Sequence, residues 1–354
     1  MSHSYAGSED GGLLLSPRAS ISLLVEEVSQ VGEARRSANS LAHTLDFSET
    51  GQGNLAIVIT EIANNLVRHT GGGEILLRAV EADGGNRGIE ILALDKGRGM
   101  ADVAQCLEDG FSTGGTSGTG LGAVRRLSTS LDIYSLPDRG TVLVCYLWAK
   151  PVGDDYCVRV GAVNRPKPGQ EACGDHWTMA SEGNRHVFMI ADGLGHGPEA
   201  AQAGQSAVRA FGQHFHKRPN LILESVHSAL HGTRGAAVAV AEVDEDTKTV
   251  CFAGVGNIAG EIMNVANSGM TSHHGIVGFQ MRKVQEFIYP YADDSLLLLN
   301  SDGIATPGSL AAYPTLLTLP PALIAGVLYR DFQRTNDDST ILVARIETGK
   351  EGPL

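Results

Sequence analysis

The stretch VFMIADGLGHG, residues 187–197, limits what this chain can fold into more than any other. An apolar run ends in Asp192, glycines follow at 193, 195 and 197, and Pro198-Glu199 opens an Ala-rich segment. The run reads as a buried strand, the glycines as a tight turn, and the proline as the first turn of a helix. Such a unit delivers Asp192 on rigid backbone, where its oxygens and the freed glycine carbonyls are the ligands that hard cations take. A single Asp-Gly after a strand is ordinarily a capping turn, so recurrence decides. Asp175 follows Gly174 and precedes an apolar strand at 177–180; Asp302 follows the strand at 296–299; Asp337 and Asp338 precede the closing strand at 341–346. The turn at 181–184 makes a hairpin that brings Asp175 and Asp192 to the same end of a sheet. Carboxylates so placed can converge on metal ions.

The rest of the chain is bounded by its composition. At 354 residues it has room for two domains, and 42% apolar with 19% charged residues describes a globular protein. The net charge of −13 argues against a general nucleic-acid binder and against docking on an anionic membrane. No apolar run approaches the roughly 20 residues of a spanning helix, and the N-terminus lacks a signal pattern, so a cytoplasmic location is expected. Cys106, Cys145, Cys157, Cys173 and Cys251 are odd in number and scattered, as reduced thiols are.

Residues 1–19 are expected as a flexible tail, 20–150 as one domain and 155–348 as another, with a Pro/Gly-bearing junction between them. In the first domain a strand at 21–25 leads to an amphipathic helix opened by Ser29. After the Gly51-Gln52-Gly53 break, Asn54 caps a second helix that carries Glu61 and Asn65 on one face. Strands at 74–80 and 89–94 follow, and the second runs into Asp95-Lys96-Gly97-Arg98-Gly99. The glycine-rich stretch 109–122 suits close approach of backbone N–H groups to phosphates, at the positive end of a helix beginning near Leu121.

The ordered set E-x-x-x-N, D-x-G-x-G, a glycine-rich lid ending G-T-G-L-G, and Arg139-Gly140-Thr141 resembles the GHKL ATPase superfamily. Within it, the set is most similar to the serine kinases of bacterial partner switching. That resemblance implies a Bergerat-type α/β sandwich binding ATP with Mg²⁺. Asn65 would hold the Mg²⁺ and Asp95 the adenine amino group. Gly97 and Gly99 would shape the adenine pocket, Gly118, Gly120 and Gly122 would cradle the phosphates, and Thr141 would sit near the base. Glu61 would be the general base for a serine hydroxyl. A histidine-kinase reading lacks its paired-helix segment with an acceptor histidine; His69 reads as a helix-end residue.

In the second domain the acidic strand ends resemble the metal-dependent PPM protein phosphatases, and D-G-x-G-H-G is the variant of their SpoIIE and RsbX-type branch. The resemblance implies an α-β-β-α sandwich with two Mn²⁺ or Mg²⁺ ions held by Asp175, Asp192, the Gly193 carbonyl, Asp302 and Asp337, with Asp192 central to catalysis. Asp338 joins this implied metal set, at a position where the family often has Asn. No arginine is positioned by sequence to bind phosphate. His227 and His231 have zinc-helix spacing, but Ser228 stands where that motif needs Glu. His196 shapes the metal loop.

The sequence therefore predicts an α+β chain with an N-terminal kinase-like fold and a C-terminal phosphatase. Its expected substrates are STAS-domain, anti-anti-sigma proteins or stressosome-like components. The alternative keeps the phosphatase and makes the first domain a non-catalytic module that binds ATP or a partner.

Overall fold

The computed structural model describes residues 13–15, 19–82, 85–108, 120–152, 159–263, 268–305 and 310–346. The chain divides into two compact units, and neither is one run of sequence. The nucleotide unit takes Ser20–Cys157 and Thr318–Arg330; the acidic unit takes Met1–Ala19, Val158–Leu317 and Asp331–Leu354. Leu13–Leu15 (β1), inside the stretch expected as a flexible tail, is an edge strand of the acidic unit.

In the nucleotide unit, Ile21–Val25 (β2), Gly73–Ala82 (β3), Asn86–Leu94 (β4), Ser130–Leu136 (β5) and Gly140–Trp148 (β6) form an antiparallel sheet of order β2-β3-β4-β6-β5. Alternation sends Ile75, Leu77, Ile89, Ile91, Leu143 and Cys145 to one face. There they share a core with Val28–Thr44 (α1) and Glu49–Asn65 (α2), through Ala34, Ala38, Leu55, Ile59 and Ile62. The short Val103–Cys106 (α3) and Gly120–Leu127 (α4) complete the helices of this sequence stretch among the described residues.

Two helix starts differ from expectation. Glu27 caps α1 through a reciprocal capping box with Gln30, in place of Ser29. Ser48 caps α2 by accepting the Gly51 N–H at 3.1 Å, so Gly51 and Gly53 lie inside the helix and Asn54 beyond its first turn. A serine with an acid at the next position outranks the glycine break, because it satisfies an N–H that the helix end leaves orphaned. A π-helical turn, Leu66–Thr70, follows α2 and ends at Gly71, whose φ of 75° is left-handed.

The opposite face of this sheet is also apolar, with Leu92, Leu94, Val142 and Val144 all buried. It receives Pro321–Phe332 (α7), a helix from late in the sequence whose residues 321–330 are all buried. A Cβ on Gly326 would sit 3.0 Å from Leu92 and Val142, so the helix backbone lies directly on the strands. Tyr329 donates its hydroxyl to Glu74 on β3, at 3.1 and 3.3 Å from the two carboxylate oxygens. Beside it Arg78 and Glu90 form a buried two-point ion pair, and the Tyr146 hydroxyl also donates to Glu90. Such pairs survive burial because every charged atom meets a partner.

The acidic unit is built from two antiparallel sheets. One, of order β1-β8-β9-β10-β11-β14, contains Asp175–Glu182 (β8), Arg185–Gly193 (β9), Ala236–Asp244 (β10), Thr249–Val255 (β11) and Phe287–Pro290 (β14). The other, β13-β12-β15-β16-β7, contains Val160–Arg165 (β7), Ala259–Met263 (β12), Ser268–Gly269 (β13), Ser295–Asn300 (β15) and Ser339–Ile346 (β16). Trp177, Met179, Phe188, Ile190 and Phe252 share one core with Ala162, Leu297, Leu299 and Leu342, as facing sheets do. Pro198–His214 (α5) and Pro219–Ala229 (α6) cover the outer side of the first sheet through Ala203, Ala207, Phe211, Ile222 and Val226. Among the described residues no helix is long and apolar enough to cross a membrane.

The Tyr329–Glu74 hydrogen bonds give α7 a measurable share in the nucleotide unit. Tyr329→Phe should lower the unfolding free energy by about 1.5–3 kcal/mol, and by less than half as much in a Glu74→Leu background. Denaturant melts of the four proteins in this cycle check it; equal losses in both backgrounds would contradict the contact.

Candidate nucleotide and metal sites

The nucleotide candidates gather where α2, the end of β4 and the start of α4 meet. Glu61 and Asn65 are one turn apart on α2. A Cβ on Gly120 would lie 2.8 Å from Glu61 Oε2 and 3.7 Å from Asn65 Oδ1, so a larger residue could not stand there without displacing the acid. Gly122, two residues on, is buried in α4. Gly118 and the stretch 109–119 lie outside the described residues.

Asp95 follows β4 and is buried. Its Oδ1 accepts N–H groups from Gly97 at 2.8 Å and Thr141 at 3.2 Å, while Oδ2 has no hydrogen-bond donor among the described residues. Burial raises this carboxyl above its usual range; the two N–H groups and the charge of Arg330 oppose the rise. The result is a fixed acceptor suited to an amino group. Gly97 packs against Thr70, and Gly99, at φ 66°, passes so close to the Leu136 carbonyl that no side chain fits. Thr141 shares a 2.8 Å hydrogen bond with Ser135, whose hydroxyl also accepts the Met100 N–H.

At the acidic site the expected hairpin forms, with Asp175 directly opposite Asp192 in the β8–β9 register. Asp175 is the first residue of its strand and is wholly buried. Ser301 donates to its Oδ2 at 2.6 Å and accepts the Thr340 N–H at 3.0 Å, while Asn164 donates to the Thr340 hydroxyl at 2.6 Å and to the Asp175 carbonyl at 3.0 Å. Gly193 closes β9 against the Ala200 carbonyl of α5, an approach that leaves no room for a Cβ. Asp302 follows β15 and accepts from Asn257 at 2.5 Å; Asp337 is exposed and accepts the Asp338 N–H at 2.9 Å.

Asp338 is placed differently from its four neighbours. It is buried, and its two oxygens accept backbone N–H groups from Lys167 at 2.7 Å and Gly174 at 2.9 Å. Its carboxylate ties down the loop that presents Asp175, so the geometry gives it a loop-holding part where the sequence suggested a ligand.

The electrostatics fit a cation. Burial, then the charges of Asp175, Asp302 and Asp337, push the Asp192 carboxyl far above the ordinary value of 3.8. Burial, with Asp338 and Asp302, raises Asp175 although Ser301 and Thr340 oppose it. Asp302 is raised by burial and by Asp337, and lowered by Arg334 and Asn257. Three carboxylates held above their ordinary value by burial and by neighbouring acids are an oxygen donor set suited to positive charge. Among the described residues no three Asp, Glu, His or Cys side chains already clasp a single point.

Several supporting residues carried no sequence signal. Ser301, Thr340, Asn164 and Asn257 are ordinary polar residues that matter only through partners far away in sequence. Arg330 donates to the Asp95 carbonyl at 3.2 Å from α7, over a separation of 235 residues. The histidines follow the plainer expectation: His227 accepts the Gly278 N–H at 2.8 Å, and His231 lies beyond the end of α6. Cys145 and Cys173 are free and buried, and burial pushes both thiols up; Cys157 lies outside the described residues.

Comparison with known proteins gives two family matches, one in each half of the sequence. Residues 24–146 match the family described as histidine kinase-like ATPase domain, and residues 182–347 match Stage II sporulation protein E (SpoIIE). Over 117 residues the chain is 35% identical to serine/threonine-protein kinase RsbT of Bacillus subtilis (strain 168), covering 33% of this chain and 87% of that protein. A solved chain described under the bacterial stressosome, a modular system adapted to control secondary messenger signaling, is 29% identical. It covers 53% of this chain and 98% of its own, with a TM-score of 0.50. The PP2C phosphatase domain of SpoIIE from Bacillus subtilis, with a fragment of its regulatory domain, is 17% identical. That match covers 91% of this chain and 96% of its own at a TM-score of 0.47. Through its N-terminal part the chain belongs to the RsbT family of serine/threonine-protein kinases, whose histidine kinase-like ATPase domain is here fused to a domain that matches Stage II sporulation protein E (SpoIIE).

Proposed function

We propose that this chain is a bifunctional partner-switching regulator. It phosphorylates serine or threonine on a STAS-domain, anti-anti-sigma-type protein or stressosome-like component with ATP, and hydrolyses the same class of phosphoester with divalent cations. The observation that carries the reading is the presence of both site sets on one chain. Glu61 and Asn65 face Gly120, and Asp175 stands opposite Asp192 with Asp302 and Asp337 in electrostatic reach.

In the kinase reaction the Asp95 Oδ2 accepts the adenine amino group, Asn65 holds the Mg²⁺ of ATP, and Glu61 takes the proton from the attacking hydroxyl oxygen. This division of labour suits phosphoryl transfer, which depends mainly on positioning and charge neutralisation. In the phosphatase, Asp175, Asp192, Asp302, Asp337 and the Gly193 carbonyl hold two Mn²⁺ or Mg²⁺ ions. Those ions, when bound, supply charge neutralisation and acidify water. The chain's own part is to fix the carboxylates. Ser301, itself held by the Thr340 N–H, orients Asp175, Asn257 orients Asp302, and Asp338 holds the Gly174 loop.

The raised carboxyls make metal and pH act together. A group whose folded pKa exceeds its unfolded value of 3.8 contributes stability that is complete below that value and is lost as pH rises through the folded pKa. In chelator, the melting temperature of the acidic unit should therefore fall as pH rises through the neutral range. Millimolar Mn²⁺ should remove that fall, since cations bind the ionised form. Thermal melts with and without Mn²⁺ check this; a Mn²⁺ effect that is absent, or equal at every pH, would contradict it.

The catalytic reading is tested by intact mass of candidate STAS-domain substrates incubated with ATP, Mg²⁺ and Mn²⁺. Asp192→Ala should accumulate phosphorylated partner. Glu61→Ala should accumulate none while still dephosphorylating it, and the parent should lie between. Equal phosphorylation by the parent and Asp192→Ala on every partner tried would contradict the opposed cycle, and no phosphorylation by either would leave the first unit as a regulatory module.

A further inference from the structure

A phosphoserine carries about −1.5 to −2 charge at neutral pH, so an acidic site needs more than carboxylates to receive it. The chain brings one guanidinium to this site by a route that the sequence does not display. After β15, the Asp302-Gly303 turn is laced to the segment that follows α7. The Arg334 N–H donates to the Gly303 carbonyl at 2.7 Å, the Ala305 N–H donates to the Phe332 carbonyl at 2.8 Å, and Ile304 bridges Gln333. A side chain at 303 would strike the Asp338 carbonyl, so glycine is required for this approach. The lacing sets Arg334 within electrostatic reach of Asp302. Asp302, Gln333, Arg334, Thr335, Asn336 and Asp337 then line one open cavity of about 430 Å³.

That cavity has the size of a small-ligand site and joins two of the proposed metal carboxylates to an exposed arginine flanked by neutral hydrogen-bonding side chains. Guanidinium is permanently charged and offers paired N–H donors that match two oxygens of a phosphoryl group. Arg234, which lies beside Gly195 in the metal loop, is already ion-paired with Glu199.

We propose that Arg334 docks the phosphoryl group of the phosphoserine or phosphothreonine substrate, with Thr335 and Asn336 framing the same cavity. The assignment rests on the phosphatase reading above. It differs from a purely structural pairing of Arg334 with Asp302 in what happens to metal. A docking arginine can be removed without loss of metal, and loss of its positive charge beside Asp302 favours cation binding. An arginine that only holds Asp302 in place should weaken metal when removed.

The test uses the full chain and its Arg334→Ala and Arg334→Lys variants. Calorimetry measures Mn²⁺ affinity alone and inorganic phosphate affinity in saturating Mn²⁺, and steady-state kinetics follow a phosphoserine peptide. Arg334→Ala should weaken phosphate binding and raise KM by about 10- to 100-fold, as loss of a charge-assisted hydrogen bond does. Its kcat should change much less, its Mn²⁺ affinity should hold or tighten, and Arg334→Lys should recover part of the loss. Phosphate affinity within about 2-fold of the parent, or weakened Mn²⁺ binding that accounts for the whole effect, would overturn the assignment. If the Mn²⁺-loaded parent bound phosphate through Arg334 yet hydrolysed no phosphoester, the anion site would stand and the phosphatase reading would fail.

Discussion

Two carboxylates held face to face on adjacent strands set the terms for the acidic unit. Asp175 and Asp192 are paired by the β8–β9 register, so neither can move away without breaking the ladder. Burial makes the pair costly as two anions. The surroundings are arranged around that cost: Ser301, just after β15, donates to Asp175 and accepts the Thr340 N–H, and Asn257 donates to Asp302. Gly193 and Gly303 let backbone from α5 and from Asp338, just before β16, approach closely. Removing any one of these alters how the carboxylates are held more than it alters the apolar core.

The nucleotide unit meets a different constraint. Its sheet is apolar on both faces, as Leu77 and Ile91 on one side and Leu92 and Val142 on the other require. Helices α1 and α2 cover the first face, and α7 covers the second with residues that come from beyond position 317. The same helix brings Tyr329 to Glu74 and Arg330 to the Asp95 carbonyl. A segment far along the chain thus contributes to the surroundings of the carboxylate proposed to read adenine.

Most of this was legible from local patterns. Apolar alternation marked the strands, and Asp at strand ends marked Asp175, Asp192 and Asp302 before any coordinates. The E-x-x-x-N spacing placed Glu61 and Asn65 on one face, where Gly120 now meets both. What escaped depends on distant partners. Helix α7 has no polar face to give it an amphipathic signature, since residues 321–330 are buried all round. Arg330 and Arg334 gain meaning only from the groups they meet, Asp95 and Asp302. Asp338 was expected among the ligands beside Asp337, yet its oxygens accept the Lys167 and Gly174 N–H groups. The start of α2 was misjudged because Ser48 provides a cap that outweighs two glycines within the helix.

The central claim is that the facing carboxylates exist to hold divalent cations, and anomalous scattering from crystals grown in Mn²⁺ tests it most directly. The account predicts two manganese ions at the end of the β8–β9 hairpin, coordinated by Asp175, Asp192, Asp302 and Asp337, with Asp338 still bonded to the Lys167 and Gly174 N–H groups. Manganese absent from that strand end at saturating concentration, or held without Asp175 and Asp192, would contradict it.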